Sequence, residues 1–216
     1  MRRFLLKAAM VMVLGLAAVG QATLWDRGLG TVSGLSGSYK LIYDDDQNIT
    51  WLDYTNSGNA WDSQMDWVDG LEVTINGTTY DDWRLPTAYN KDASGPCSQN
   101  NCNGSEMGHL YFDELGNKGW PETGWGLANK TPFDNLQADW YWSGSEWAPI
   151  PDHAWYFTFL TGAQGYFHKY HDGDLYALAV RPGDVASPNA VPEPSTMLLL
   201  GFGLMGLAGA RRKFKK

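Results

Sequence analysis

The chain has 216 residues and is charged unevenly along its length. Residues 23–190 carry eight Lys and Arg against 23 Asp and Glu, a formal net charge of −15, and they hold all 11 Trp. So acidic a segment is a poor partner for nucleic acid or anionic lipid, and its aromatic content argues against disorder. Its length suits one domain with a single core.

Residues 1–22 have the features of a secretory signal peptide. Basic residues at the start precede an apolar stretch at 8–20, and small residues follow at Gly20 and Ala22. These occupy positions −3 and −1 of a cleavage site, so we expect cleavage after Ala22. The alternative is an uncleaved membrane anchor, which the short apolar stretch disfavours.

The core favours short strands and turns, because Gly, Asn, Asp, Ser and Thr are spread through it and no long helical periodicity occurs. The second of two predicted hairpins turns at Asn76-Gly77, a pair that readily adopts positive φ. The predicted strands are residues 39–43, 49–53, 71–75, 78–80, 140–142, 154–160, 166–170 and 175–181.

Two helices are predicted between these strands. Residues 61–70 place large apolar side chains at i, i+4 and i+7, the spacing of one helix face. The second helix runs from Ser105, a favourable N-cap, to Gly116, a favourable terminator.

Cys97 and Cys102 are the only cysteines. Export to an oxidising compartment favours a disulfide between them. The alternative is half of a zinc site, which needs two further ligands, and His109 is the nearest residue of a suitable type.

Two acidic turns offer the dense oxygen ligands that calcium prefers. One contains Asp44 and Asp46, and the other contains Asp172 and Asp174. Neither has the EF-hand spacing, and acidic turns are common on solvated surfaces. Calcium at these four residues and a simple solvated surface are therefore both open interpretations, and no other cofactor is predicted.

Three tryptophans lie in Gly-, Pro- and Glu-rich loops: Trp120, Trp125 and Trp147. Exposed rings there would stack on sugars, whereas buried rings would only fill the core. Carboxylates could also form the acid/base pair of a glycoside hydrolase, and the candidates by type are Glu106, Glu114, Glu122 and Glu146. Nothing in the sequence fixes such a pair, so we expect no enzymatic activity.

Several core segments together resemble one known family. Residues 81–87 read DDWRLPT, 141–146 read YWSGSE, 154–162 begin AWYF, and 176–183 read YALAVRPG. Over residues 36–184 this set resembles the Lcl C-terminal-like domain. A mainly structural role is expected for the motif residues Trp83, Arg84, Leu85, Pro86, Thr87, Tyr141, Trp142, Ser143, Trp155 and Arg181.

The resemblance implies an α+β, C-type-lectin-like fold over residues 23–186, with a twisted antiparallel sheet, two short helices and long loops. It also implies adhesion, including binding of sulfated or acidic polysaccharides. Here the net charge of −15 opposes direct binding of a polyanion, so that ligand is not carried over. The chain also departs from the family by inserting residues 88–103 before the second helix.

The C-terminal end has three parts. Residues 187–196 form a linker containing Pro192, Glu193 and Pro194, residues 197–210 are an apolar helix, and residues 211–216 are a basic tail expected to stay cytoplasmic. A 14-residue helix is about 21 Å long, short of a hydrocarbon core of about 30 Å, which suits transient membrane association.

This arrangement resembles the PEP-CTERM sorting signal. The resemblance implies an exosortase as partner and delivery to the surface or extracellular matrix of a Gram-negative-type bacterium. The predicted function is therefore adhesion or binding of exopolysaccharide or another glycan. The alternatives are a structural matrix protein without a specific ligand and an envelope carbohydrate-active hydrolase.

Overall fold

The computed structural model describes residues 23–170 and 175–185. This part of the chain is mostly antiparallel strand with few short helices, which is compatible with an α+β fold. The strands are β1 (Leu24–Val32), β2 (Ser38–Asp44), β3 (Ile49–Asn56), β4 (Val73–Ile75), β5 (Thr78–Tyr80), β6 (Gln99–Asn100), β7 (Trp140–Glu146), β8 (His153–Thr158), β9 (Ala163–His168) and β10 (Ala177–Pro182). The helices are α1 (Trp61–Asp69) and α2 (Glu106–His109), and α2 continues as a π-helical segment, Leu110–Glu114.

The strands form two sheets. The larger has the order β10-β3-β2-β1-β4-β5, and the smaller has the order β6-β9-β8-β7. They are joined where β7 meets the start of β10. There the Tyr176 N–H donates to the carbonyl of Trp140 at 2.8 Å, and its carbonyl accepts from the Trp142 N–H at 2.9 Å. Because β10 also pairs with β3, the last strand couples both sheets.

Both faces of the central strands are buried. Neighbouring residues in a strand point to opposite sides, and Trp51 and Leu52 of β3 accordingly belong to two different apolar clusters. Helix α1 packs on one cluster through Val68, and α2 with its π-helical continuation packs on the other through Met107 and Leu110. Because both faces are covered, consecutive residues of β3 are buried, instead of buried residues alternating with exposed ones.

Most of the predicted elements are confirmed. Both helices form, and the Ser105 hydroxyl oxygen accepts a hydrogen bond from the Gly108 N–H at 3.2 Å. Gly116 follows the π-helical segment with φ of +64°. The Asn76-Gly77 turn has φ values of 52° and 79°, as the hairpin requires.

Two strands were not predicted. β1 is mostly exposed and irregular, with a register shift between Asp26 and Leu29, so it lacks a clear alternating pattern. Gly30 within it is required for packing, since a Cβ there would lie 2.9 Å from Val73 Cγ1. The other, β6, has only two residues. Within the described ranges, no helix is long and apolar enough to cross a membrane.

The predicted disulfide is present between Cys97 and Cys102, with Cα atoms 5.7 Å apart. It closes the short loop that contains β6, and β6 pairs with β9 at Gln99 and Asn100. The bond therefore holds the edge of the smaller sheet.

Replacing both cysteines by serine should lower the free energy of unfolding by roughly 2 kcal/mol, because a five-residue separation closes only a short loop. Urea unfolding followed by tryptophan fluorescence measures the change. Reducing the wild-type protein should reproduce it, and an unchanged unfolding midpoint in both experiments would contradict a stabilising role.

Candidate functional site

The DDWRLPT segment joins α2 to the sheets. The Arg84 guanidinium donates two hydrogen bonds to the Glu106 carboxylate, at 2.8 and 2.6 Å, and the Thr87 N–H donates a third at 2.7 Å. The Arg84 backbone pairs with Val180 of β10 at 2.8 and 2.9 Å. The Pro86 carbonyl accepts from the Gly144 N–H of β7 at 2.9 Å. One short segment therefore connects both sheets and a helix.

The neighbours of Arg84 in this motif face inward. Trp83 and Leu85 are buried, and the Trp83 indole N–H donates to the carbonyl of Tyr80 at 3.0 Å. The Thr87 hydroxyl lies 3.2 Å from that of Ser145.

The remaining motif residues are also held by the fold. The buried Tyr141 hydroxyl accepts from the Gln137 N–H at 2.9 Å, and burial raises the Tyr141 pKa above its usual range. The Ser143 hydroxyl donates to the carbonyl of buried Trp155 at 3.0 Å. The other two members are buried Trp142, whose indole N–H donates to Asn59, and Arg181, whose guanidinium binds the Asp82 carboxylate at 2.7 and 3.0 Å.

One of the three loop tryptophans belongs to an aromatic surface. The Trp147 ring lies parallel to Tyr166, with ring centroids 3.6 Å apart and planes 6° apart. His153 adjoins both rings, with centroids 5.6 Å from Trp147 and 6.2 Å from Tyr166. Its cross-strand partner on β9, His168, lies 5.4 Å from it. We call Trp147, Tyr166, His153 and His168 the aromatic platform. Tyr166 is 39% exposed, and Trp147 is partly exposed.

Trp120 and Trp125 lie elsewhere. Both are about half-exposed, and the Trp120 N–H donates to the carbonyl of Thr161 in the β8–β9 turn. The Trp147 N–H instead donates to the carbonyl of His153 at the opposite end of β8. Five residue steps along β8 separate these ends by about 17 Å. The fold therefore does not bring the three predicted stacking residues into one site.

The first acidic turn faces a histidine. Asp44 is fully buried, and ligand atoms of Asp44, His109 and Glu114 all lie within 4.8 Å of one another. Asp46 lies 3.9 Å from His109 Nε2 at the exposed side of this group. Asp172 and Asp174, the other half of the predicted calcium set, lie outside the described residues, so that half stays a prediction.

The group has perturbed protonation. Burial lowers the pKa of His109, but the hydrogen bond to Glu114 and the charges of Asp44 and Asp113 raise it more, so the pKa lies above its ordinary value. Burial raises the pKa of Asp44, although the backbone N–H of Gln47 hydrogen-bonds the carboxylate and opposes the rise. The His109 shift therefore comes from its carboxylate neighbours, whereas the Asp44 shift comes from burial.

Sequence reasoning missed parts of both sites. Tyr166 lies directly opposite Trp155 in the β8–β9 pairing. The correct hairpin register would therefore have placed Tyr166 on the same face of the sheet as Trp155 and His153. Glu114 lies five residues after His109, and in a regular α-helix two residues at this spacing point about 140° apart around the helix axis. No helical pattern in the sequence signals their contact.

Comparison with protein-family models identifies the class of the C-terminal segment. Residues 190–213, which include Pro192, Glu193 and Pro194, match the PEP-CTERM protein-sorting motif. This motif indicates exosortase-dependent export and a cell-surface or extracellular location in bacteria. No curated protein and no solved structure matched the chain. The resemblance of the core to the Lcl C-terminal-like domain stays a prediction.

Removing the Arg84 guanidinium tests how much its contact with Glu106 contributes to stability. Arg84→Met should lower the free energy of unfolding by about 2 kcal/mol, because it leaves the largely buried Glu106 carboxylate without its cation. Urea unfolding provides the measurement, with Lys118→Met as the matched loss of an exposed positive charge. Equal effects of the two substitutions would show that the pair contributes nothing beyond net charge.

Proposed function

We propose that the mature domain is a non-enzymatic surface or matrix protein that binds neutral polysaccharide on the aromatic platform. The observation that carries the proposal is the parallel Trp147–Tyr166 pair, which presents partly exposed rings at one end of the smaller sheet. The apolar C–H face of a pyranose packs well against such rings, and the flanking His153 and His168 offer polar contacts for hydroxyls.

The charge of the domain favours a neutral ligand. Near the platform, the amino group of Lys169 bonds the Glu146 carboxylate at 2.9 Å and lies 4.3 Å from the Trp61 ring centroid. This cation is therefore committed to internal contacts. A sulfated chain approaching this end would meet the field of an acidic domain with little local compensation.

The non-enzymatic part of the proposal rests on how the candidate acids are occupied. Glu106 and Glu146 pair with Arg84 and Lys169, and Glu114 contacts His109 at 3.3 Å. These contacts tie the three carboxylates to the fold, whereas glycoside cleavage needs a pair of carboxyl groups that face the substrate. The fourth candidate, Glu122, lies in the loop between Trp120 and Trp125.

The proposed fold follows the resemblance of the core. We assign residues 23–186 to a C-type-lectin-like domain of the Lcl C-terminal-like type. Two short helices on opposite sides of a long antiparallel sheet support this assignment. The order of the motifs along the chain supports it as well.

Substituting the platform should remove binding. Trp147→Ala and Tyr166→Ala should each weaken binding to a neutral polysaccharide about tenfold, because each removes one ring of the stacked pair. A glycan array selects the polysaccharide, and titration of the full chain in detergent measures the change in Kd.

Two further variants make the binding test decisive. Trp25→Ala, which removes an indole on β1 that is 47% exposed, should leave Kd unchanged. Loss of binding in Trp125→Ala but not in Trp147→Ala would assign the ligand to the other tryptophan loop. An array without any bound glycan would favour a structural matrix protein and contradict the proposal.

Deleting residues 190–216 should prevent delivery to the cell surface, since this segment contains the matched sorting motif. Fractionation of cells expressing tagged full-length and truncated chains measures the location. Pro194→Ala tests the motif with a single change. Unchanged surface delivery of the truncated chain would contradict exosortase-dependent sorting.

A further inference from the structure

Three side chains with metal-binding atoms converge between the β2–β3 turn and the segment formed by α2 and its π-helical continuation. Asp44 ends β2, His109 ends α2, and Glu114 ends the π-helical segment. His109 Nε2 lies 3.3 Å from Glu114 Oε1, and ligand atoms of all three residues lie within 4.8 Å of each other. Two atoms bound to one tetrahedral zinc ion lie about 3.3 Å apart. The ligand atoms would therefore have to approach each other by at most about 1.5 Å to bind one ion.

The π-helical segment creates this convergence. In a regular α-helix, position i+4 lies near position i, whereas i+5 points about 140° away. The wider turn, marked by the Leu115 N–H donating to the Leu110 carbonyl at 3.0 Å, brings both positions beside His109. Asp113 and Glu114 therefore contact the same imidazole from two sides, at 3.1 and 3.3 Å. Such segments recur at functional sites.

The contacts of His109 are those of a metal ligand with its supporting group. Its Nδ1 faces the Asp113 carboxylate at 3.1 Å, which orients the ring and directs Nε2 toward Glu114. A carboxylate on the second nitrogen is the usual support of a metal-bound histidine. Asp44 is fixed in a similar way, because its carboxylate accepts from the Gln47 N–H at 2.9 Å.

The charges at this position do not balance. Asp44 is fully buried and the Glu114 side chain is 1% exposed, yet within residues 23–170 and 175–185 neither carboxylate pairs with Lys or Arg. Asp46 and Asp113 add two more carboxylates at the rim, against the His109 imidazole and the Lys91 ammonium, which donates to the Asp46 carbonyl. Buried charges are normally paired or coordinated to metal, so the enclosed carboxylates call for a cation.

We propose that Asp44, His109 and Glu114 bind one divalent transition-metal ion, with Zn²⁺ as the fitting probe. The imidazole selects zinc-like ions over calcium and magnesium, which favour oxygen ligands alone. Asp113 acts as the supporting group, and half-exposed Asp46 lies where an ion would enter. The site is distinct from the aromatic platform and does not depend on the proposed glycan binding.

Calorimetric titration of the full chain with ZnCl₂ tests the proposal, after removal of bound metal with EDTA and dialysis. We expect one Zn²⁺ per chain that millimolar CaCl₂ does not displace. His109→Gln and Glu114→Gln should abolish this binding, and Asp113→Asn should weaken it by about 10- to 100-fold. The visible spectrum of the Co²⁺-loaded protein should show four-coordinate geometry that is lost in Glu114→Gln.

His168→Gln is the matched control, because it removes an exposed histidine from the aromatic platform and should leave zinc binding intact. Near-ultraviolet circular dichroism in EDTA establishes that each variant is folded. Zinc binding that persists in folded His109→Gln and Glu114→Gln, displacement of zinc by calcium, or absence of stoichiometric binding in the wild-type protein would each overturn the proposal.

Discussion

The contact between Arg84 and Glu106 is the constraint that fixes α2 against the sheets. Arg84 is tied by its backbone to β10, while its guanidinium holds the first residue of α2. The Gln47 side chain also donates to the Glu106 carbonyl at 3.2 Å, which attaches the acidic turn to the same helix. The relative positions of the β2–β3 turn and α2, and therefore of Asp44 and His109, follow from this joint.

Scarcity of positive charge gives these contacts their importance. Among the eight Lys and Arg of residues 23–190, several bind carboxylates that are distant in sequence. The pairs are Arg27–Asp184, Lys40–Asp134, Arg84–Glu106, Lys169–Glu146 and Arg181–Asp82. Cations used in this way hold the fold together and leave the surface to carboxylates. The domain thus has little means of binding a polyanion directly, and a bound cation would relieve part of its repulsion.

The sequence predicted elements whose signals are local. The Asn76-Gly77 turn and the Ser105 cap depend on residues within four positions of each other, and both are present. β1 was missed because its glycines and exposed polar residues give no alternation, and its pairing with β2 and β4 supplies the missing information. Long-range pairing is a property of the sheet rather than of the strand's own sequence.

In the candidate sites as well, residues with a local sequence signal could be predicted, and partners that depend on the folded structure could not. Trp147 could be singled out as a loop tryptophan, but Tyr166 joins it only through the register of β8 and β9. Asp44 could be singled out as an acidic turn residue, yet its partners were hidden for a different reason. The helix signal assumes 3.6 residues per turn, and that assumption places Glu114 away from His109.

The departure from α-helical geometry has a cost that the rest of the fold must meet. A π-helical turn is rarer than an α-helical one, so its retention requires compensating contacts. Leu110 and Tyr111 supply them, because both are fully buried in the cluster against β3 and β10. The same turn aims Asp113 and Glu114 at one imidazole. Apolar packing on one side of the segment therefore holds Asp113 and Glu114 close together around His109 on the other side, although their charges repel each other. A bound metal ion would make this arrangement stabilising.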